Sequence, residues 1–168
     1  MRLVVAAAAT VIQLLIAGAA SACTIAQPKG EVILSIDGMI KDCNEGLSVH
    51  LDRALVDALP RKQVKTENPW DDGPVVYEGV LLRDLMKFAK ADGTTATVSA
   101  LNDYRADIPL ADMDKYDVIL ADKRGGVALP VRDKGPFFVV FPFTDFPELA
   151  SVARYAQSVW QVNRITVK

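Results

Sequence analysis

Histidine is nearly absent from this 168-residue sequence, where His50 is the sole example. A zinc site built on several imidazoles and a metalloprotease H-E-x-x-H helix are therefore excluded. His50 lies between Val49 and Leu51 and reads as a hydrogen-bonded structural residue. No G-x-S-x-G turn offers a nucleophile for it to activate, and neither common phosphate-cradling glycine loop occurs. Cysteine is scarce too: Cys23 and Cys43 are present, with none beyond them. In an oxidising compartment these two can pair; equally, Cys23 can lie on a mobile terminus and leave Cys43 alone. Basic runs and stripes are also missing, so nucleic acid is not an expected partner.

At the start, Arg2 is followed by Leu3 to Gly18, apolar apart from Thr10 and Gln13, and then by Ala20-Ser21-Ala22. This is the layout of a secretory signal with a small-x-small cleavage site. Residues 1–22 are read as a signal peptide and residues 23–168 as a single domain exported to the periplasm. The segment is long enough to cross a bilayer, but its alanine richness and small-residue end favour removal over a retained anchor. Lipid attachment at Cys23 is the weaker alternative, because Ala20 stands where a larger aliphatic residue is preferred. Without Arg2, the 19 Lys+Arg become 18 against 21 Asp+Glu, a net charge of −3 and an ordinary, slightly acidic surface.

Short strands are predicted at Val32 to Ile36, Leu47 to Leu51, Lys62 to Glu67, Val75 to Tyr77, Thr95 to Leu101 and Ala106 to Pro109. Asp52 is placed to cap a helix carrying Leu55, Val56 and Leu59, which Pro60 ends, and Leu81 to Ala89 repeats its apolar residues at helical spacing. Tyr116 to Ala121 and Val127 to Val131 flank an Arg124-Gly125-Gly126 turn as a hairpin. Phe137 to Phe141 reads as a central buried strand, and Ser158 to Val167 as the last strand. Strands with a few scattered short helices point to an α+β fold of mixed sheets rather than a doubly wound one. The loop carboxylates Asp71, Asp72, Asp103, Asp133 and Asp145 are ordinary turn residues; Asp103 and Asp133 draw attention through their neighbours.

Those neighbours carry a resemblance. The run from Trp70-Asp71-Asp72-Gly73-Pro74 to Gly79-Val80-Leu81-Leu82-Arg83-Asp84-Leu85 resembles the tryptophan loop and "G-V-x-L-x-x-L-L" stretch of sulfite-oxidase-type domains. Ala100-Leu101-Asn102-Asp103-Tyr104 resembles a loop that follows, and Val131-Arg132-Asp133-Lys134-Gly135-Pro136 the "x-x-G-x-P" approach to a buried strand. The segment from Tyr155 through Ser158 and Trp160 to Ile165 resembles the closing "K-S-x-K-W" strand. The matches keep their order over residues 32–167. They imply a sulfite-oxidase-like, molybdopterin-binding domain fold with a partial barrel.

One departure changes what the resemblance implies. Catalytic members hold molybdenum on a cysteine thiolate just before the tryptophan loop, a place that falls at Val64 to Asn68 here, with Thr66 the nearest equivalent. A threonine hydroxyl is not a soft anionic ligand. The resemblance then implies a pterin-binding protein without metal or catalytic cofactor, for a reduced or hydroxylated pterin. A pterin needs a flat face to stack on and polar groups along its edge. Candidate ligand-binding residues are Trp70, Asn102, Asp103, Tyr104, Arg132, Lys134, Tyr155, Ser158 and Trp160. Competing readings place Trp160 in the core, Asp103 in a turn cap and Arg132 in a surface ion pair with Asp133. Small exported proteins of this pattern imply, as partner, the periplasmic domain of a membrane-bound signalling enzyme of cyclic-di-GMP turnover. The alternative is a small molybdopterin-dependent oxidoreductase.

Overall fold

The computed structural model describes residues 23–168; the signal-peptide reading of residues 1–22 lies outside them. Alternating apolar residues build two sheets. The first runs β2 (Val49–Leu51), β1 (Leu34–Gly38), β10 (Val162–Val167), β5 (Thr95–Ala100), β6 (Arg105–Pro109), with only β1 and β10 parallel. The second runs β3 (Arg61–Thr66), β4 (Val75–Leu81), β7 (Ile119–Arg124), β8 (Val127–Ala128), and β9 (Phe138–Val140) also pairs with β7. All pairs of the second sheet are antiparallel. Among the described residues the strands are connected by four short α-helices: α1 (Arg53–Asp57), α2 (Leu82–Phe88), α3 (Leu110–Lys115) and α4 (Val152–Gln157).

Local chemistry explains several of these elements. Asp52 caps α1 by accepting the Leu55 N–H at 2.9 Å, and also accepts from the Lys29 and Gly30 N–H groups. These donors hold its carboxyl below the ordinary range. Gly125 and Gly126, both with positive φ, make the two-residue turn that suits the twist of a β7–β8 hairpin. Apolar side chains from both sheets and from α1, α2 and α3 form the main core, with Leu34, Ile36, Leu51, Leu82, Leu85 and Ile165 fully enclosed. A smaller core of Val64, Tyr77, Ile119, Leu129, Phe138 and Val140 lies under the Trp70 loop.

The N-terminal lead-in is fastened at several points. Cys23 and Cys43 form a disulfide, which settles the open alternative in favour of pairing. Next to it Asp42 accepts from the Thr24 N–H at 3.0 Å and pairs with Lys90 at 2.7 Å. Lys90 and Thr24 together hold the Asp42 carboxyl well below the usual carboxylate range.

Four expectations need correction. β4 continues to Leu81 rather than stopping at Tyr77, because Gly79 lets the strand pass close to Leu120 through a bulge. Helices α3 and α4 were not predicted: each is six residues long, too short for a periodic apolar stripe. The Phe137 to Phe141 run is buried as expected but not central. Its strand pairs with β7 on one side, and on the other with the irregular chain ahead of β10, through Val139 N–H to Val159 O at 2.8 Å and Val162 N–H to Phe137 O at 3.0 Å. Lastly, the final strand starts at Val162, so Trp160 is not a strand residue packed in the core; it is 38% exposed.

Candidate functional site

The loop between β3 and β4 carries Trp70, and a partly buried polar clamp fixes its course. Asn68 accepts the Trp70 N–H through its Oδ1 at 2.9 Å and donates through Nδ2 to Asp71 at 2.7 Å. The Asp71 carboxylate also receives the hydroxyl of Tyr77, a fully buried residue of β4, and the guanidinium of Arg124 at the end of β7. Burial would raise the Asp71 carboxyl, but the three donors outweigh it and hold it below the ordinary range. Burial together with the bond to Asp71 pushes the Tyr77 hydroxyl up to about 12. Trp70 is thus delivered against Phe138, Tyr155 and Trp160, with ring centres 5.7, 6.0 and 6.0 Å away.

Trp160 owes its position to two backbone bonds. Gln161 has a positive φ of 54° and donates its N–H to Lys134 O at 2.9 Å, while its carbonyl accepts from Leu101 at 3.0 Å. The chain therefore turns at Gln161 and leaves the Trp160 ring outside the strand. Across from it, the β5–β6 turn is held by Asn102 Oδ1, which accepts the Tyr104 N–H at 3.2 Å. The Tyr104 hydroxyl donates to Ala156 O at 2.7 Å, tying this turn to α4.

These segments close around a cleft of about 210 Å³ lined by Trp70, Asn102, Tyr104, Tyr155, Ser158 and Trp160, with Ala156 and Val159. Six of the nine sequence-derived candidates therefore meet in one place, although they come from three regions of the chain. The walls are largely aromatic, and Asn102, whose Nδ2 has no protein acceptor among the described residues, contributes an amide to the lining. Such a cleft suits a flat heterocycle with a polar edge.

The remaining three candidates do not line it. Lys134 is buried behind it, with its ammonium 5.8 Å from the Trp160 ring centre. Arg132 is exposed on the neighbouring turn. Asp103 adopts a left-handed φ of 65° at the tip of the β5–β6 turn, as Asp tolerates, and faces a different hollow. That hollow, about 430 Å³ on the outer face of the first sheet, is larger but offers no aromatic wall. Its Arg164 and Lys168 are paired with Asp37 and Asp107, so it reads as a solvated sheet face. Two contributors escaped sequence reasoning. Phe138 looked like plain core, and the Tyr77–Asp71–Arg124 clamp joins residues up to 53 positions apart.

A molybdenum centre is not suited to the donors at the end of β3. Thr66 is fully buried, and its hydroxyl donates to Glu67 O at 3.1 Å and accepts from Thr144 N–H at 3.3 Å. It is a neutral oxygen already engaged, with no soft donor character. The sulfurs of Cys23 and Cys43 are bonded to each other, and no cluster of three metal-ligating side chains occurs among the described residues.

No protein-family model and no curated protein sequence matches the chain. Among solved structures it is similar to the sulfane dehydrogenase SoxCD from Paracoccus pantotrophus, with a TM-score of 0.60 and 19% identity over 80% of this chain. The likeness is one of fold: the α+β, sulfite-oxidase-like architecture expected from the sequence. The chain spans only 37% of the length of that structure.

Proposed function

We propose that this is a non-catalytic periplasmic pterin-binding protein that relays ligand occupancy to a membrane-bound signalling partner of cyclic-di-GMP turnover. The observation that carries this reading is the convergence of Trp70, Asn102, Tyr104, Tyr155, Ser158 and Trp160 on one aromatic cleft. The strand end that would hold a metal thiolate carries an engaged threonine instead. Binding of a pterin would fill the space between the Trp70 loop, the β5–β6 turn and α4, giving a partner a surface that differs between the empty and filled states.

The Cys23–Cys43 disulfide supports an oxidising compartment. It also argues against lipid anchoring, since a sulfur in a disulfide cannot carry a thioether. The rival reading, a small molybdopterin-dependent oxidoreductase, has the fold likeness to a dehydrogenase in its favour.

Thermal unfolding of the 23–168 protein with and without pterins tests the proposal. Ligand at a hundred times its dissociation constant adds about 2.7 kcal/mol of stability, or roughly 5–10 °C in Tm. No shift at saturation across several pterins would sink it. Stoichiometric molybdenum in protein purified from a cofactor-competent periplasm would favour the rival.

A further inference from the structure

Among the described residues β2, β6, β3 and β8 end the two sheets, and an unpaired sheet edge offers backbone groups to any extended chain. At β2 the Asn44 side chain occupies both backbone groups of His50, accepting its N–H and donating to its carbonyl, each at 2.7 Å. At β6 the Gln157 amide of α4 donates to the Asp107 carbonyl at 2.7 Å. β8 is only two residues long. β3 differs: it is six residues long and pairs only with β4. Val76 of β4 turns its carbonyl away from β3 to accept the Gly125 N–H at 2.8 Å, and Lys65 stands opposite Val76. In an antiparallel ladder the N–H and C=O of a residue so placed both point to the outer side, and the pattern recurs at every second position. Arg61, Gln63 and Lys65 therefore hold their backbone groups toward the open edge, where no other backbone group of the described residues bonds to them.

A groove of about 410 Å³ accompanies this edge, bordered by Lys62, Gln63 and Lys65 and by Pro142, Thr144 and Asp145 of the chain after β9. Consecutive residues of β3 line it, and successive side chains of a strand point to opposite faces, so the groove follows the edge rather than one face. Lys62, Gln63 and Lys65 are exposed. Lys62 pairs with Asp117 at 3.1 Å, whereas Lys65 forms no ion pair among the described residues. We propose that β3 is a docking edge for an extended, acidic segment of a partner protein, which adds a strand to the second sheet. Main-chain hydrogen bonds would supply the affinity and the lysines the choice of partner. A second copy pairing antiparallel about Gln63 would set Arg61 opposite Lys65 twice, and like charges directly opposite are destabilising. Lysines also discourage apolar strands from an edge. An acidic strand meets neither obstacle. The proposal is independent of the pterin reading, since the groove and the aromatic cleft share no lining residue.

Two capped peptides serve as probes, Thr-Glu-Val-Glu-Val-Glu-Thr and its basic counterpart Thr-Lys-Val-Lys-Val-Lys-Thr, each titrated into isotope-labelled 23–168 protein and followed by NMR. The acidic peptide should shift the amide signals of Arg61, Gln63 and Lys65 saturably and slow their hydrogen exchange. It should bind at least about threefold more tightly than the basic one, the worth of a cross-strand charge pair. Gln63→Pro removes an outward N–H and spares the ladder to β4, so the fold should persist while binding is lost. Lys65→Glu should reverse the preference between the peptides. Absence of shifts with the acidic peptide at millimolar concentration, equal binding of the two peptides, or binding that survives Gln63→Pro overturns the proposal. Shifts of the same amides that grow with protein concentration alone make a second copy the occupant and also overturn it. If Gln63→Pro does not fold, the outcome with Lys65→Glu decides.

Discussion

Trp160 and Asp71 act on the cleft in different ways. Trp160 is a wall of the cleft with little core duty, so Trp160→Ala should weaken pterin binding by about tenfold to a hundredfold, the worth of one stacked ring, and move Tm little. Asp71 never reaches the cleft; it positions Trp70 through Tyr77, Asn68 and Arg124. Asp71→Asn should therefore lower both Tm and affinity, while Tyr77→Phe, which removes one donor and keeps the ring, should reproduce the effect in weaker form. Calorimetry run beside ligand titration separates the two residues. At this scale the sequence was informative about type and silent about partners. Trp70, Asn102, Tyr104, Tyr155, Ser158 and Trp160 could be picked out by the segments they occupy. That Arg124 reaches Asp71 across 53 positions could not, since nothing local records a tertiary hydrogen bond.

Among the elements, β9 matters most to the site because it pairs with β7 on one side and with the Trp160 segment on the other, and floors the aromatic cluster. Phe138 is 1% exposed and touches Trp70 and Tyr77. Phe138→Ala should cost about 3–5 kcal/mol, measured by urea unfolding. Periodicity located this strand correctly and misjudged its neighbours: continuous burial reads as a central strand, whereas here an irregular segment covers the second edge. Trp160 was misplaced for the same reason. A period-two pattern does not reveal that the chain turns at a non-glycine residue with positive φ. The caps and turns were plain in advance, Asp52 and the Gly125-Gly126 pair above all, because their chemistry is local. The N-terminal lead-in depends on a covalent tie. Reduction of the Cys23–Cys43 disulfide, or replacement of both by serine, should cost about 3 kcal/mol for a loop of this size.

Over the whole molecule, carboxylates held below their ordinary range are spread through the fold: Asp42, Asp52, Asp71, Glu78 and Asp117. In the unfolded chain these groups take up protons at higher pH than in the folded one. Their contribution is therefore complete above the ordinary carboxylate range and is lost as the pH falls from that range down through their lowered folded-state values. Urea midpoints should hold steady from neutral pH to about 5 and decline steadily below that. Tyr77, pushed up to about 12, acts from the alkaline side: its contribution is present below the ordinary tyrosine range and is lost as the pH rises through 12. The α+β class and its sulfite-oxidase-like character were legible in the order of the motifs, and the structural likeness to SoxCD agrees on the fold. The function proposed for the protein rests on the aromatic cleft binding a pterin. Fluorescence titration of a pterin into the 23–168 protein and its Trp160→Ala variant tests this directly. Saturable one-to-one binding that the substitution weakens at least about tenfold is expected; no saturable binding, or binding untouched by the substitution, would contradict a pterin site in the cleft.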